Sequence, residues 1–318
     1  MALAFAQPSN APRGLGADRP KRETVPDKQK RELDSDRTKR GGGDIALAPN
    51  QPDPPSGFDT PHAGIARGKI TPFEYESKAG GGTFCATIHT PPGFSPSEKY
   101  PVLYLLHGAS GDENTWVREI RAGRILDNLY AAKKIAPMLV VMPSSLSVAA
   151  RGRAGGNRDA MQRSGMAFGE VLLRDLVPFV ESNYPAISNR EHRALAGLSM
   201  GAGLALNTGL LNPDKFAWLG AFSGGSARRL AGGQRFDVSS PGRQPQLLWL
   251  SVGNRDTLMA GGAAALDAFL TERKIPHLFR VNDGAHEPNV WAGDLYHFAQ
   301  LLFRDAEDAT GRAGSNCD

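Results

Sequence analysis

The pentapeptide Gly197-Leu198-Ser199-Met200-Gly201 constrains this chain more than any other stretch, because of what flanks it. His192-Arg193-Ala194-Leu195-Ala196 before it reads as a short buried strand. Ala202 to Leu211 after it reads as a helix ending before Asn212-Pro213. Gly-x-Ser-x-Gly between a strand and a helix makes a turn so tight that side chains two before and two after the serine would collide. The same turn lifts the serine hydroxyl above the sheet and sets the next backbone N–H at the start of a helix. The motif alone is common in glycine-rich chains, and this one has 37 glycines, so its weight comes from the flanking strand and helix.

A serine hydroxyl is a weak nucleophile at neutral pH. It needs a base, and the base needs an orienting carboxylate. On a strand–elbow–helix scaffold the expected chain order is Ser, then Asp or Glu, then His. His286 lies in the polar loop Asn282 to Glu287, after the predicted strand Leu278-Phe279-Arg280-Val281, where an imidazole can reach the elbow. His297 falls on an amphipathic helical stretch and His277 at the head of a strand, so both read as structural. For the acid, the apolar run Gln246 to Val252 is followed by Gly253-Asn254-Arg255-Asp256. A carboxylate just past the C-terminal end of such a strand faces the same rim as the elbow. Asp283 reads as a cap of its own turn, and Asp214 and Asp237 have no strand before them. The expected catalytic set is Ser199, Asp256 and His286.

A carbonyl oxygen that becomes an anion in the transition state needs two donors. The backbone N–H of Met200 is one candidate. The other is that of Ala109, in the loop His107-Gly108-Ala109-Ser110-Gly111 after the strand Pro101 to Leu106. Gly108 lets that backbone approach a ligand closely. His107 precedes the serine and reads as a brace of this loop rather than a base.

Elsewhere strands alternate with helices: a helix over Arg121 to Ala132, a strand over Pro137 to Pro143, a long helix over Phe168 to Asn183, and a strand over Phe216 to Phe222. That alternation predicts an α/β fold. Its central sheet should be mostly parallel with helices on both faces, and its first two strands antiparallel at one edge. With the elbow in place, this is the α/β-hydrolase arrangement.

Several stretches resemble a known family. They are Ile70 to Lys78, Thr90-Pro91-Pro92-Gly93-Phe94, Tyr100 to Gly108, Ala196 to Gly201, and His286-Glu287-Pro288-Asn289-Val290-Trp291. Over residues 65–306 the chain resembles the esterase-D-like feruloyl and acetyl-xylan esterases of carbohydrate esterase family one, with enterochelin-esterase-like proteins as cousins. The resemblance implies the Ser199–Asp256–His286 triad and the Ala109 and Met200 oxyanion donors. It also implies hydrolysis of esters between small acyl groups and plant polysaccharides, with no metal and no organic cofactor. Many relatives carry two glycines before the histidine; here Ala285 takes the second place. Fold kinship leaves thioester and polyester hydrolysis or acyl transfer open. A non-catalytic carbohydrate-binding protein on the same scaffold is the reading from another class, and it would require a broken triad.

Residues 1–62 lack apolar periodicity, with a mixed-charge run from Lys21 to Arg40, then Gly41-Gly42-Gly43, then Pro52, Pro54 and Pro55. Such a stretch buries too little apolar surface to offset its chain entropy, so a disordered or extended leader is expected. It would precede an esterase domain over 63–306 and a flexible tail over 307–318. Acidic residues alternate with basic ones there, which argues against a nucleic-acid-binding arm. Ala4-Phe5-Ala6-Gln7 resembles a signal-peptide cleavage site behind a very short apolar stretch, and export to a secreted or periplasmic location is the expectation. No segment approaches the roughly 20 apolar residues of a membrane span. Cys85 lies in a predicted strand and Cys317 in the expected tail, so no disulfide between them is expected. Trp116 and Trp291 are candidates for stacking on a sugar or ferulate ring. The arginine-bearing loops 144–166 and 223–244 are candidate basic walls of a cleft.

Overall fold

The computed structural model describes residues 52–144, 167–225 and 243–304. Eight strands form one sheet: β1 (Lys69–Ser77), β2 (Gly82–Thr90), β3 (Val102–Leu106), β4 (Leu139–Pro143), β5 (Arg193–Leu198), β6 (Trp218–Phe222), β7 (Leu247–Gly253) and β8 (Leu278–Asn282). Their spatial order is β1-β2-β4-β3-β5-β6-β7-β8. β1 pairs antiparallel with β2, and β2 antiparallel with β4; β4, β3, β5, β6, β7 and β8 run parallel. The sheet is thus mostly parallel with an antiparallel N-terminal edge, as the alternation of elements predicts.

Strands β3 to β6 are buried at every position and mostly apolar because both sheet faces are covered. Successive strand residues point to opposite sides. Tyr104 and Leu106 accordingly join one buried cluster, with Leu206 and Leu210, while Leu103 and Leu105 join the other. The helices that matter for the site are α1 (Ala122–Ala131), α2 (Val177–Asn183), α3 (Met200–Leu211), α4 (Ala260–Glu272) and α5 (Pro288–Ala299). α3 packs in the first cluster; α1 and α5 pack in the second through Ile125, Leu126, Leu295 and Phe298. The long helix expected over 168–183 contains a wider π-turn, Leu172–Leu176, immediately before α2. Pro178 has no N–H to give to the carbonyl of Arg174, and the widened turn absorbs that gap.

The expected leader boundary after residue 62 falls inside a packed segment. Asn128 Nδ2 on α1 donates to the carbonyls of Phe58 and Thr60, 2.9 Å each. The Phe58 ring meets Tyr296 of α5 edge-on, with centroids 5.3 Å apart. Periodicity could not reveal this, because most of the polar grip on the segment falls on backbone carbonyls rather than on an apolar stripe.

Candidate active site

Ser199 sits between β5 and α3 with φ 53° and ψ −114°, a positive φ that a non-glycine residue adopts only under local constraint. Its N–H donates to the Phe222 carbonyl at 2.8 Å. Glycines from several chain segments make room for the turn. A Cβ on Gly197 would lie 2.6 Å from the carbonyl carbon of Gly201, and one on Gly201 would lie 2.5 Å from the His107 oxygen. The collision expected between positions two before and two after the serine is therefore a contact with backbone, which cannot swing away. Beyond β6, a Cβ on Gly224 would come within 2.3 Å of the Ser199 oxygen.

The structure brings Ser199, His286 and Asp256 into one hydrogen-bonded line. His286 Nε2 is 2.9 Å from Ser199 Oγ, and Nδ1 is 2.8 Å from Asp256 Oδ2. Asp256 is buried, and its Oδ1 accepts from the N–H groups of Leu258 and Met259 at 3.1 and 3.0 Å. One carboxylate oxygen is thus held by backbone while the other faces the imidazole. An ionised carboxylate accepts only, so Nδ1 carries the proton and the Nε2 lone pair faces the serine hydroxyl.

The loops carrying the acid and the histidine are cross-linked. Asn254 N donates to Asn282 O and Arg255 N to Gly284 O, both at 2.8 Å. Asp283 takes part in the link: its Oδ1 accepts from Asn254 Nδ2 at 2.9 Å and from Arg255 Nη1 at 2.8 Å. Gly284 has φ 140°, and a Cβ there would strike Val290 Cγ2 at 2.3 Å. Ala285 has no such conflict: its φ is not positive, so alanine fits there, and its N–H donates to Glu287 Oε1 at 2.9 Å. Asn254, Arg255, Asp283 and Glu287 are supports that the reading of the sequence missed; their one visible signal is adjacency to Asp256 or His286.

Met200 opens α3, so its N–H is among the first-turn amides that lack an intrahelical partner. Gly108 is buried against the elbow: a Cβ there would lie 2.7 Å from Leu198 Cδ1 and 3.3 Å from Ser199 Cβ. The exposed Ala109 follows it in the chain. His107 is buried, and burial pushes its pKa down. Its Nδ1 lies 2.7 Å from Gly108 O and donates to it, bracing the loop.

Both tryptophans differ from expectation. Trp116 is 1% exposed and edge-on to Phe222, with centroids 6.1 Å apart, so it is core and not a stacking platform. Its single helical turn, Thr115–Arg118, turns the indole toward the cluster under β3 and β6. Trp291 is also buried and meets the His286 ring edge-on at 5.0 Å, so it backs the imidazole rather than facing a ligand. His277 is tied to the Ile275 carbonyl and Asp267, and His297 is buried in α5, as structural histidines. The basic stretches 145–166 and 226–242 lie outside the described residues. Among the described residues, no group of three or more His, Cys, Asp or Glu side chains is arranged to hold a metal ion.

Residues 77–302 match the family Esterase, described as "Putative esterase". The chain belongs to this esterase family. Membership places the domain among carboxylic ester hydrolases. Over 167 residues it is 34% identical to an endo-1,4-beta-xylanase/feruloyl esterase of Xylanibacter ruminicola, covering 51% of this chain and 22% of that protein. The chain thus spans about a fifth of that relative's length, 22%. Among solved structures, the CE1 ferulic acid esterase AmCE1/Fae1A of Anaeromyces mucronatus superposes with a TM-score of 0.70 at 23% identity, covering 79% of this chain and 96% of that one. The S-formylglutathione hydrolase FrmB of Staphylococcus aureus superposes with a TM-score of 0.57 at 20% identity, covering 77% and 99%. At these identities the structural likeness speaks for the fold.

Proposed function

We propose that this esterase acts through an acyl-Ser199 intermediate and releases a feruloyl or acetyl group from plant polysaccharide. The observation that carries the mechanism is the line Ser199 Oγ–His286–Asp256 Oδ2, with spacings of 2.9 and 2.8 Å, on a strained elbow. As Oγ bonds to the ester carbonyl carbon, its proton passes to His286 Nε2, and Asp256 stabilises the imidazolium. The amides of Ala109 and Met200 stabilise the oxyanion. The C–O bond to the sugar then breaks, and the leaving oxygen takes the proton from Nε2. Water repeats the sequence on the acyl-serine, giving the free acid and regenerating Ser199. The feruloyl preference rests on the name of the Xylanibacter relative, and a polysaccharide leaving group on its pairing with a xylanase.

The test is hydrolysis of methyl ferulate, p-nitrophenyl acetate and acetylated xylan by the native protein and by Ser199→Ala. Serine-dependent ferulate release is the expected result. Activity on the acetyl substrates alone assigns an acetyl esterase, and turnover retained by Ser199→Ala overturns the mechanism.

A further inference from the structure

Arg121 stands outside the machinery described so far, yet its backbone is strained. It has φ 62° at the residue before α1, a left-handed conformation with no glycine to relieve it. Strain of this kind persists where surrounding contacts over-determine it, and here those contacts lead to the histidine. Arg121 Nη2 donates to Asn289 Oδ1 at 3.2 Å and pairs with Asp59 Oδ2 at 2.6 Å. Asn289 lies in the first turn of α5, three residues after His286, and the same turn carries Trp291, whose ring backs the imidazole. Asp59 belongs to the segment that Asn128 grips through the Phe58 and Thr60 carbonyls and that Phe58 ties to Tyr296. Further up the segment, Asp53 approaches Arg280 of β8 at 3.5 Å. One nitrogen of Arg121 therefore joins the first turn of α5 to a segment fixed on α1, β8 and the far end of α5.

We propose that Arg121, paired with Asp59, is a positioning residue for His286: it holds the first turn of α5 so that Nε2 stays in line with Ser199 Oγ. The proposal rests on His286 being the base, and it makes residues 53–60 part of the working domain although the family match begins at residue 77. Because both contacts use Nη2 while the buried Nε has no partner, a lysine ammonium can replace the guanidinium. Lysine also tolerates the backbone, since Lys133 and Lys274 have φ 55° in this structure.

The test uses the full chain with Arg121→Gly, Arg121→Lys, Asp59→Asn and the Asp59→Asn/Arg121→Gly double variant. Glycine removes the side chain without straining the left-handed position. For p-nitrophenyl acetate at a temperature well below unfolding, Arg121→Gly is expected to lower kcat roughly tenfold with KM within about twofold. Arg121→Lys should restore most of the rate, and the double variant should be no slower than Arg121→Gly. A lower melting temperature with unchanged kcat overturns the proposal, because packing alone would do that. So does a lysine variant that recovers the melting temperature but not the rate. Should Arg121→Gly fail to fold, Asp59→Asn carries the same test: an unchanged kcat overturns the proposal. Turnover in Ser199→Ala would instead break the underlying mechanism, so the two failures are distinguishable.

Discussion

The serine and the histidine of this site are held by different physics. Ser199 is fixed by excluded volume: Gly197 and Gly201 touch backbone where any side chain would collide, and the serine keeps φ 53° because nothing nearby can move. His286 and its loop are fixed by contacts from several segments, among them Asp256, the Asn254–Asp283 cross-link, the Trp291 edge and the bond from Asn282 to Asp294 of α5. A steric mount fails by losing the fold, whereas a polar mount fails by losing alignment, charge by charge. The comparison teaches where stability and where rate should respond to substitution.

The largest expected break is Asp256→Asn, which reverses the tautomer logic at Nδ1 while leaving the elbow intact. Loss of kcat on the order of 10³–10⁴ is expected with an unchanged unfolding midpoint, measured by steady-state kinetics and urea denaturation. A rate within tenfold of the parent would show that the base does not depend on this contact.

Next comes a dependence on pH confined to the polar mount. Asp294 is fully buried, and burial pushes its carboxyl up to about 7; Asn282 Nδ2 at 2.6 Å and Arg280 work against the rise. The Ser251 hydroxyl also faces it, although neither that oxygen nor Asp294 Oδ2 meets ordinary hydrogen-bond geometry. The folded state binds this proton more tightly than the unfolded chain does. Its contribution is therefore complete below the unfolded carboxyl value near 3.8 and is lost as pH rises through about 7. His297, pushed down to about 4 first by burial and then by Arg280 and Lys134, acts in the opposite sense, losing stability as pH falls from 6.5 toward 4. Since both proteins keep His297, comparing Asp294→Asn with the parent isolates Asp294. The variant should gain on the parent between pH 4 and 8 by up to about 4 kcal/mol, read from denaturation curves across that range. Parallel curves would refute it.

For the steric mount, Gly197→Ala should cost about 2–3 kcal/mol or more in denaturant unfolding, because the added methyl meets the Gly201 backbone. An alanine variant as stable and active as the parent would break the comparison. The smallest effect is expected for Asp283→Ala. The Arg255–Asp283 pair is largely exposed, with side chains 62% and 69% accessible, so less than about 1 kcal/mol should be lost, and 0.5 M salt should erase most of the difference.

The elbow was legible because its determinants are contiguous. Two glycines, a strand and a helix within one short stretch leave a serine little choice of geometry, and the apolar runs that flank it name the sheet. The order Ser199, Asp256, His286 could be read because each polar residue follows a strand whose parallel neighbours end at one rim. Trp116 and Trp291 misled for the converse reason. Each adjoins a polar loop, and whether an indole faces ligand or core is decided by what it packs against: Phe222, distant in the chain, for Trp116 and the His286 ring for Trp291. Residues 52–62 looked like leader because proline and polar residues give no periodicity, yet Asn128 grips two of their carbonyls.

The sequence by itself determined the sheet, the elbow and that Ser199, Asp256 and His286 meet at one rim, since these follow from local sterics and from strand and helix periodicity. Only the tertiary structure decided what surrounds His286 and that residues 58–60 pack on the domain. Those depend on single hydrogen bonds between segments distant in the chain, and a pattern of apolar and polar residues carries no record of which distant carbonyl an amide will meet.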